Sequence, residues 1–474
     1  MIISSEQKQI ARKAVLGVAL LAAFASHSSA QSADDALINK LEQKGILTTK
    51  EAQELRTEAS QDFTTAAHSK ANMPDWMVMP DWVKSYKLSG DFRGRFEQLS
   101  GDNDAFVDRV RLRYRLRVGL TVNLHDNLEV GFRFGSGDPA SGFATGNPLS
   151  GTSTFQDNFS SKSLYVDAAY GKWSPLNSDS WLLSATIGKM DNPFAFTPMV
   201  FDQDLTPEGG AIQSGWTIND KQSLSLTGAA FVLDEESAAT QDPFMYGGQL
   251  LWKAKWTKKL ATTLGVGAFQ IVNAHQLNTV NVPYINRGNT RVPFVPLIPP
   301  GSSALYVLKY NYTPVIADAG ATYTLDSFPF YKGAFPLKFA GEYMHNPGAP
   351  ANNDGYWVGV TFGQSGKKKT WDISYRYEYL GADAWYDQLV DDDNLAFYPG
   401  DNPNANSTFG YYGGTNIKGH QIRFNYSFTD SLTFSITCFL NELINRDGLV
   451  ADYYVPDTKT SATMRFMADM MWKF

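Results

Sequence analysis

The chain has 474 residues and a formal net charge of -7 at pH 7, yet only 19% of its residues are charged and 14% are aromatic. An acidic chain of this kind is a poor nucleic-acid binder, so we expect no nucleic-acid partner. The single cysteine, Cys438, excludes an internal disulfide and is expected to be a small buried hydrophobe. Low charge with many aromatic residues is typical of outer-membrane barrels.

The first thirty residues have the pattern of a secretory signal peptide. Basic residues between positions 8 and 13 precede an apolar run over residues 14–25, and the small residues 28–30 follow. The pattern predicts cleavage after Ala30. The apolar run is well short of the ~20 residues that a spanning helix needs, so an N-terminal membrane anchor is the less favoured alternative.

Residues 31–60 contain the only helical pattern, which predicts a short periplasmic hairpin of two helices. Gly45 ends the first helix, and Thr48 with Glu51 forms a capping box that opens the second. The hairpin packs against itself, a neighbouring subunit or the barrel mouth, or it is a partly frayed leader. Residues 61–83, with their prolines and tryptophans, are predicted to be a linker that reaches the membrane surface.

The segment 108–124, DRVRLRYRLRVGLTVNL, alternates strictly between arginine and apolar residues. Period two predicts a β-strand with one charged and one apolar face. Neighbouring arginines on such a face repel one another, so we expect that face to be wet. The strand therefore separates an aqueous space from an apolar one, as in a soluble sandwich or in a transmembrane barrel.

Residues 84–474 predict strands only, about sixteen of them, and the prediction over 304–325 is interrupted by Pro314. Short turns such as 125–127 alternate with long polar connections such as 381–415. This alternation predicts an all-β fold, a transmembrane antiparallel β-barrel with a short N-terminal periplasmic helical segment. Sixteen strands enclose an aqueous channel rather than a filled core.

The last strand, MRFMADMMWKF, resembles the C-terminal strand of Gram-negative porins. The successive motifs RVRLRYRLRVGL, FRFGSGDPASG, YVDAAYGKW and IGKMDNPFAF look like those of a family of bacterial putative porins. The resemblance implies an outer-membrane channel for small hydrophilic solutes, a homotrimer, contacts with membrane lipid and lipopolysaccharide, and no cofactor or metal. It also implies that Trp472 and Phe474 form the assembly signal for the barrel insertion machinery.

Two charged sets are predicted to face each other in the lumen. The first is a pore-lining basic wall, which either shapes ion passage or only keeps the wall hydrated: Arg93, Arg95, Arg109, Arg111, Arg113, Arg115, Arg117 and Arg133. The second is the loop after the fifth strand, whose place in general porins implies an inward constriction with these acids: Asp191, Asp202, Asp204 and Glu208. An ordinary extracellular loop is the alternative. Opposed charges would create a transverse field across the pore.

The remaining histidines and acidic residues bear on functions other than a channel. His275, His345 and His420 lie near the outer rim without a nucleophile signature, so we expect no enzyme. The acidic run 391–393 could bind divalent ions at the outer surface, but we expect it to be only a solvated part of an extracellular loop. An anion-selective or phosphate-selective channel and an envelope-tethering barrel stay open as alternatives.

Overall fold

The computed structural model describes residues 80–102, 107–137, 150–237, 240–277, 287–293, 306–398, 410–445 and 461–474. The predicted signal peptide, the helical hairpin and nearly all of the linker lie outside these residues. The tethering function predicted for the leader therefore stays a prediction. No helix within the described residues is long and apolar enough to cross a membrane.

The chain divides into two compact units, which are residues 1–88 with 121–125 and residues 89–120 with 126–474. In the described part of the smaller unit, the Asn123 side-chain amide donates a hydrogen bond to the Ser85 hydroxyl at 3.1 Å. The larger unit contains every feature of the candidate site.

The described residues form strands in this order: β1 (Val83–Gly101), β2 (Arg109–Leu124), β3 (Leu128–Ser136), β4 (Ser153–Thr154), β5 (Leu164–Asn177), β6 (Trp181–Lys189), β7 (Glu208–Asn219), β8 (Gln222–Val232), β9 (Phe244–Lys255), β10 (Leu260–Val272), β11 (Arg291–Pro293), β12 (Tyr306–Leu308), β13 (Val315–Leu325), β14 (Phe335–His345), β15 (Asp354–Gly363), β16 (Thr370–Leu380), β17 (Leu395–Tyr398), β18 (Gly410–Gly413), β19 (Ile417–Ser427), β20 (Leu432–Leu443) and β21 (Thr463–Lys473). One-turn 3₁₀ helices lie at His125–Asn127 and Ala274–Gln276.

These strands build a closed antiparallel barrel, which confirms the predicted fold class. The main sheet has 17 strands, of which sixteen form the wall and the two-residue β4 pairs with β2 alone. The barrel closes where β1 pairs with β21, from Asp91 opposite Lys473 to Gly101 opposite Thr463. The pairs β11–β12 and β17–β18 are small separate sheets. Closure removes the exposed sheet edges that would otherwise invite aggregation.

One predicted strand is in fact two. The segment 304–325 is predicted as one strand that Pro314 interrupts, and it forms β12 and β13 with residues 309–314 between them. Pro314 has no backbone N–H to give to a ladder, and it lies directly before β13. Its carbonyl still accepts a hydrogen bond from the Phe269 N–H at 3.1 Å.

Connections between wall strands alternate in length as predicted. Because the strands are antiparallel, the short turns lie at one end and the long connections at the other. Apolar residues occupy the outward positions; Leu112 and Leu226, for example, are 53% and 56% exposed. At the short-turn end, the rings of Trp181 and Trp216 stack at 5.7 Å on that outer face. This is the arrangement expected of a surface that contacts lipid and its interface.

Part of the interior is filled by a hydrophobic cluster, contrary to the expectation of an open lumen. Strands β7 to β10, β13, β14 and β16 contribute inward side chains to it. Two long connections fold onto these strands: the inward loop, residues 190–207, and the inward segment, residues 381–394. Apolar side chains in both stretches account for this, because they gain more from burial than from exposure to water.

Candidate constriction site in the barrel

The arginine wall is defined as the inward arginines of β1, β2 and β21: Arg93, Arg95, Arg111, Arg113, Arg115, Arg117 and Arg465. We expected this face to be wet, and that prediction is wrong for its centre. Arg93, Arg95, Arg113 and Arg115 are at most 7% exposed. Their charges are tolerated in burial because carboxylates of the wall and of the inward connections lie against them.

Asp91 of β1 holds the end of the arginine wall that lies toward the short turns. One of its carboxylate oxygens lies 3.0 Å from Nη2 of Arg115, and the other lies 2.8 Å from Nε of Arg117. The period of two places both arginines on the same inner face as the acid, because neighbouring strands share that face. Asp91 thereby separates two like charges that would otherwise repel.

Glu97, farther along β1, is completely buried and forms ion pairs with three arginines. It contacts Arg111 and Arg113 of β2, and its other oxygen lies 2.5 Å from Nη2 of Arg465. On β21, Asp469 makes two parallel hydrogen bonds to Arg95, at 2.7 and 2.8 Å. Bidentate pairs of this kind fix orientation as well as charge.

The inward loop is anchored on the apolar half of the barrel. The Phe194 ring packs edge-on against Phe269 of β10 at 4.9 Å and stacks on Phe201 at 5.7 Å. The Ala195 N–H donates to Oε1 of Gln249 at 2.8 Å, and the Thr197 hydroxyl donates to Glu342 at 2.5 Å. The loop is thus fixed by burial and by hydrogen bonds from its backbone.

The inward loop contacts the arginine wall through Asp204. Oδ1 of Asp204 lies 2.9 Å from Nη1 of Arg115 and 3.6 Å from Nη1 of Arg117. Both arginines also contact Asp91, so the two charged sets meet directly at this level. The resemblance implied this opposition of acid and base, and here they are in contact.

The other predicted acids of this loop do not act as one set. Asp191 pairs with Arg133 of β3 at 2.7 Å, and Arg133 also contacts Asp167. Glu208 is the first residue of β7 and pairs with Lys189 at 2.9 Å, away from the arginine wall. Of the four acids, Asp204 contacts the arginine wall, and Asp191 contacts Arg133, another member of the predicted basic wall.

Asp202 is buried and connects the inward loop to the inward segment. Its N–H donates to the Leu389 carbonyl at 2.8 Å, and its Oδ2 accepts from the Asp392 N–H at 3.0 Å. The indole N–H of Trp385 donates to the Val200 carbonyl at 2.9 Å. Together these contacts make the two inward connections one packed unit.

The inward segment also contacts the arginine wall, which the sequence analysis missed. We expected residues 391–393 to be solvated, and that prediction is wrong. Asp393 lies 3.0 Å from Arg465 and 3.8 Å from Arg95, whereas Asp391 lies 3.5 Å from Arg376 of β16. The apolar run around Trp385 was the sequence signal for this inward packing, because a loop that is exposed to water rarely carries a contiguous apolar cluster.

The acids of the inward connections differ in their protonation. Burial and the neighbouring charge of Asp392 raise the pKa of Asp202 well above its usual value. Burial and the charge of Asp393 raise the pKa of Asp391 to about 7. Burial acts in the same direction on Asp393, but the charges of Arg465 and Arg95 outweigh it and hold its pKa at about 2.

Three of these carboxylates converge: Asp202, Asp391 and Asp392 each bring an oxygen to within 4.8 Å of the other two. Within the described residues this is the only group with metal-ligand geometry. The raised pKa values of Asp202 and Asp391 fit this crowding, because a proton on either acid removes part of the repulsion among the three groups.

The arginine wall carries surplus positive charge. Its seven arginines share five carboxylates, those of Asp91, Glu97, Asp204, Asp393 and Asp469. Arg93 donates instead to the Thr152 hydroxyl at 2.6 Å, and Arg113 donates to the Thr152 carbonyl at 3.2 Å. Thr152 adjoins β4, which pairs with β2 beside Arg113 and brings these neutral acceptors to the wall.

Remaining predicted positions lie elsewhere. Arg109 begins β2, at the long-connection end. His345 contacts the Asp354 carboxylate at 2.8 Å, and the His420 ring contacts the Tyr375 hydroxyl at 2.9 Å. The partner of His345 is thus a carboxylate, and the partner of His420 is a phenol.

The C-terminal strand closes the barrel through backbone contacts. The Phe474 N–H donates to the Gly90 carbonyl at 3.1 Å, and the Gly90 N–H donates back at 2.8 Å. A Cβ at Gly90 would lie 2.4 Å from the Arg117 carbonyl, so glycine permits this close approach. The Trp472 ring lies 5.6 Å from the Phe92 ring, and both side chains are exposed.

Residues 102–292 match a family model described as "Putative porin". The match covers the arginine strand β2 and the inward loop, and it confirms the resemblance stated from the sequence. With the closed barrel, this match supports a channel and an outer-membrane location rather than an enzyme. No relative was found among curated protein sequences.

Solved structures similar to this chain include porins. One is OprB of Pseudomonas putida, with 11% identity, a TM-score of 0.47, and coverage of 82% of this chain and 94% of that one. Another is a triple mutant of the Rhodopseudomonas blastica porin, with 9% identity, a TM-score of 0.38, and coverage of 82% and 100%.

Proposed function

We propose that this chain forms an outer-membrane channel through which small hydrophilic solutes and ions diffuse passively. The observation that carries the proposal is the inner surface of the closed barrel, where Asp204 meets Arg115 and Arg117. Charged groups that line the inside of a barrel in this way set which ions and polar solutes pass.

The aqueous path runs along the arginine wall. The opposite half of the interior is filled by the inward loop and the inward segment, which pack on apolar side chains such as Phe269 and Ile316. The side chains of Arg117 and Asp204 are 21% and 23% exposed, and together with Asp393 at 30% they are the least buried groups of the charged half. Solutes therefore pass beside this pair, which is the constriction.

The surplus of guanidinium groups favours anions over cations. Arg113 shares Glu97 with two other arginines, and Arg93 donates to a hydroxyl instead of a carboxylate. The positive charge of both is therefore only partly compensated. A region of net positive potential raises the local concentration of anions and lowers that of cations. Anion preference is thus the second candidate that a specific observation favours.

Purified protein in a planar bilayer tests the channel directly. We expect discrete conductance steps, and liposomes that contain the protein should swell in small uncharged sugars but not in large ones. The matched control is a chain with Asp326→Asn at the short-turn end, which should behave like the parent. A folded, heat-modifiable barrel that neither conducts nor admits sugars would contradict the proposal.

A further inference from the structure

The barrel wall drops in height next to β5 at the long-connection end. At the long-connection end, β6 and β7 stop at their last pair, Lys189 opposite Glu208. Strand β5 pairs with β6 only from Ala169 onward, and its residues 164–168 extend past Lys189. The chain between β6 and β7 turns inward as the inward loop, so among the described residues no strand continues the wall beside this extension of β5; we call this step the gap.

A cavity of about 450 Å³ lies at this gap. Phe231 and Met245 line it from the inner face of the barrel, and Phe201 and Leu205 line it from the inward loop. Val166, which is 49% exposed on the outer face, also borders it. The cavity thus lies between the side of the wall that faces the membrane and the interior, and most of its surface is apolar.

The charged residues of the cavity are already paired within the protein. Lys189 contacts Glu208 at 2.9 Å and donates to the Thr206 carbonyl at 3.0 Å. Asp167 contacts Arg133, and Asp204 contacts the arginine wall. An ionic ligand would have to break one of these pairs, whereas a neutral ligand would leave them intact.

We propose that this cavity binds a small uncharged apolar solute, of the size of one or two aromatic rings, that enters from the membrane side at the gap. The volume of the cavity lies within the range of small-molecule sites, about 300–1,000 Å³. The Phe201 and Phe231 rings supply faces and edges for an aromatic ligand. The site adjoins the hydrophilic path, because Asp204 borders both the cavity and the arginine wall.

Photolabelling of the purified full-length protein with a neutral aryl diazirine tests the site. Any detergent-embedded barrel will be labelled on its outer face, so the informative residues are the inward-facing Phe231 and Met245. We expect labelling of these residues and of Phe201, saturable by unlabelled naphthalene. Label confined to outward-facing residues of the wall would overturn the proposal.

Two variants make the test specific. Leu205→Trp and Leu233→Trp each place a larger side chain in or beside the cavity, and each should reduce the inner label by roughly fivefold or more. Leu226→Trp, on the outer face of the same strand β8, is the matched control and should leave the inner label unchanged. Equal labelling in all three variants would contradict the site.

Two further outcomes are decisive. Inner labelling that appears only after an oligomer is dissociated would mean that a second copy of the chain covers the gap, which overturns the proposal. Conductance of the same preparation is read in parallel, because it reports on the hydrophilic channel alone. Loss of conductance with retained inner labelling would contradict the proposed function and leave the apolar site standing.

Discussion

The two halves of the barrel interior hold the inward connections by different forces. On the apolar half, β7 to β10, β13 and β14 bury the aromatic side chains of the inward loop. On the charged half, β1, β2 and β21 contact the same connections through ion pairs such as Asp204 with Arg115. Burial is insensitive to salt, whereas partly exposed ion pairs are screened by it. The apolar half therefore fixes the connections in place, and the charged half governs what passes.

Removal of the apolar anchor should have the largest effect. Trp385 is fully buried between the inward segment and the inward loop, and its replacement by alanine leaves a cavity that costs about 3–5 kcal/mol. We expect Trp385→Ala to release both connections, so that single-channel conductance rises and becomes noisy. Trp216→Ala, on the membrane face, is the control; equal conductance of both variants would contradict the anchor.

Loss of the acid at the constriction should change ion selectivity. Asp204→Asn removes the charge that the inward loop presents to Arg115 and Arg117, while Asp91 still holds both arginines. We expect the anion-to-cation permeability ratio to increase by roughly threefold, read from the reversal potential in a salt gradient. Glu208→Gln should not change it, because Glu208 pairs with Lys189 away from the wall.

The packing of the inward segment should weaken as pH rises. The pKa of Asp391 is raised to about 7 in the folded protein, so its stabilising contribution is complete below the unfolded value and is lost as pH rises through 7. Hydrogen exchange over residues 381–394, corrected for the intrinsic rate, should therefore accelerate between about pH 5 and pH 8.

Two variants distinguish this titration from a general effect of pH. Asp391→Asn stays neutral and should abolish the acceleration. Asp393 has a pKa of about 2 and is ionised throughout this range, so Asp393→Asn should raise exchange at every pH without removing the dependence. An unchanged pH dependence in Asp391→Asn would count against this assignment.

The smallest effect is expected at the rim. Glu208 is 64% exposed in its pair with Lys189, so screening by solvent leaves the pair about 0–1 kcal/mol. Lys189→Ala should leave the conductance nearly unchanged. It should also leave nearly unchanged the temperature at which half of the barrel unfolds, read from the heat-induced mobility shift on gel electrophoresis. A large loss of stability would show that the rim pair supports the short strands β6 and β7.

The strands and their faces could be predicted because alternation is a local property. The alternation of residues in 108–124 defines the two faces of the strand without information from any other segment. Pro314 predicts a break because its ring leaves no backbone N–H for a strand ladder. Sixteen strands followed from counting such patterns and the turns between them.

The filled half of the interior could not be predicted in this way. Whether Trp385 meets Val200 depends on residues far apart in sequence, and no periodicity reports such a contact. The same holds for Asp393, whose arginine partners lie on β1 and β21. The expectation of a wet arginine face failed for this reason, because the acids that replace water come from distant connections.

The central claim is that ions pass along the arginine wall. The most direct test is the reversal potential of the channel in a potassium chloride gradient, compared between the parent and Arg117→Gln, the more exposed partner of Asp204. The account predicts an anion-selective parent and a clear shift toward cations in Arg117→Gln. A cation-selective parent, or identical reversal potentials in two folded and conducting proteins, would contradict it.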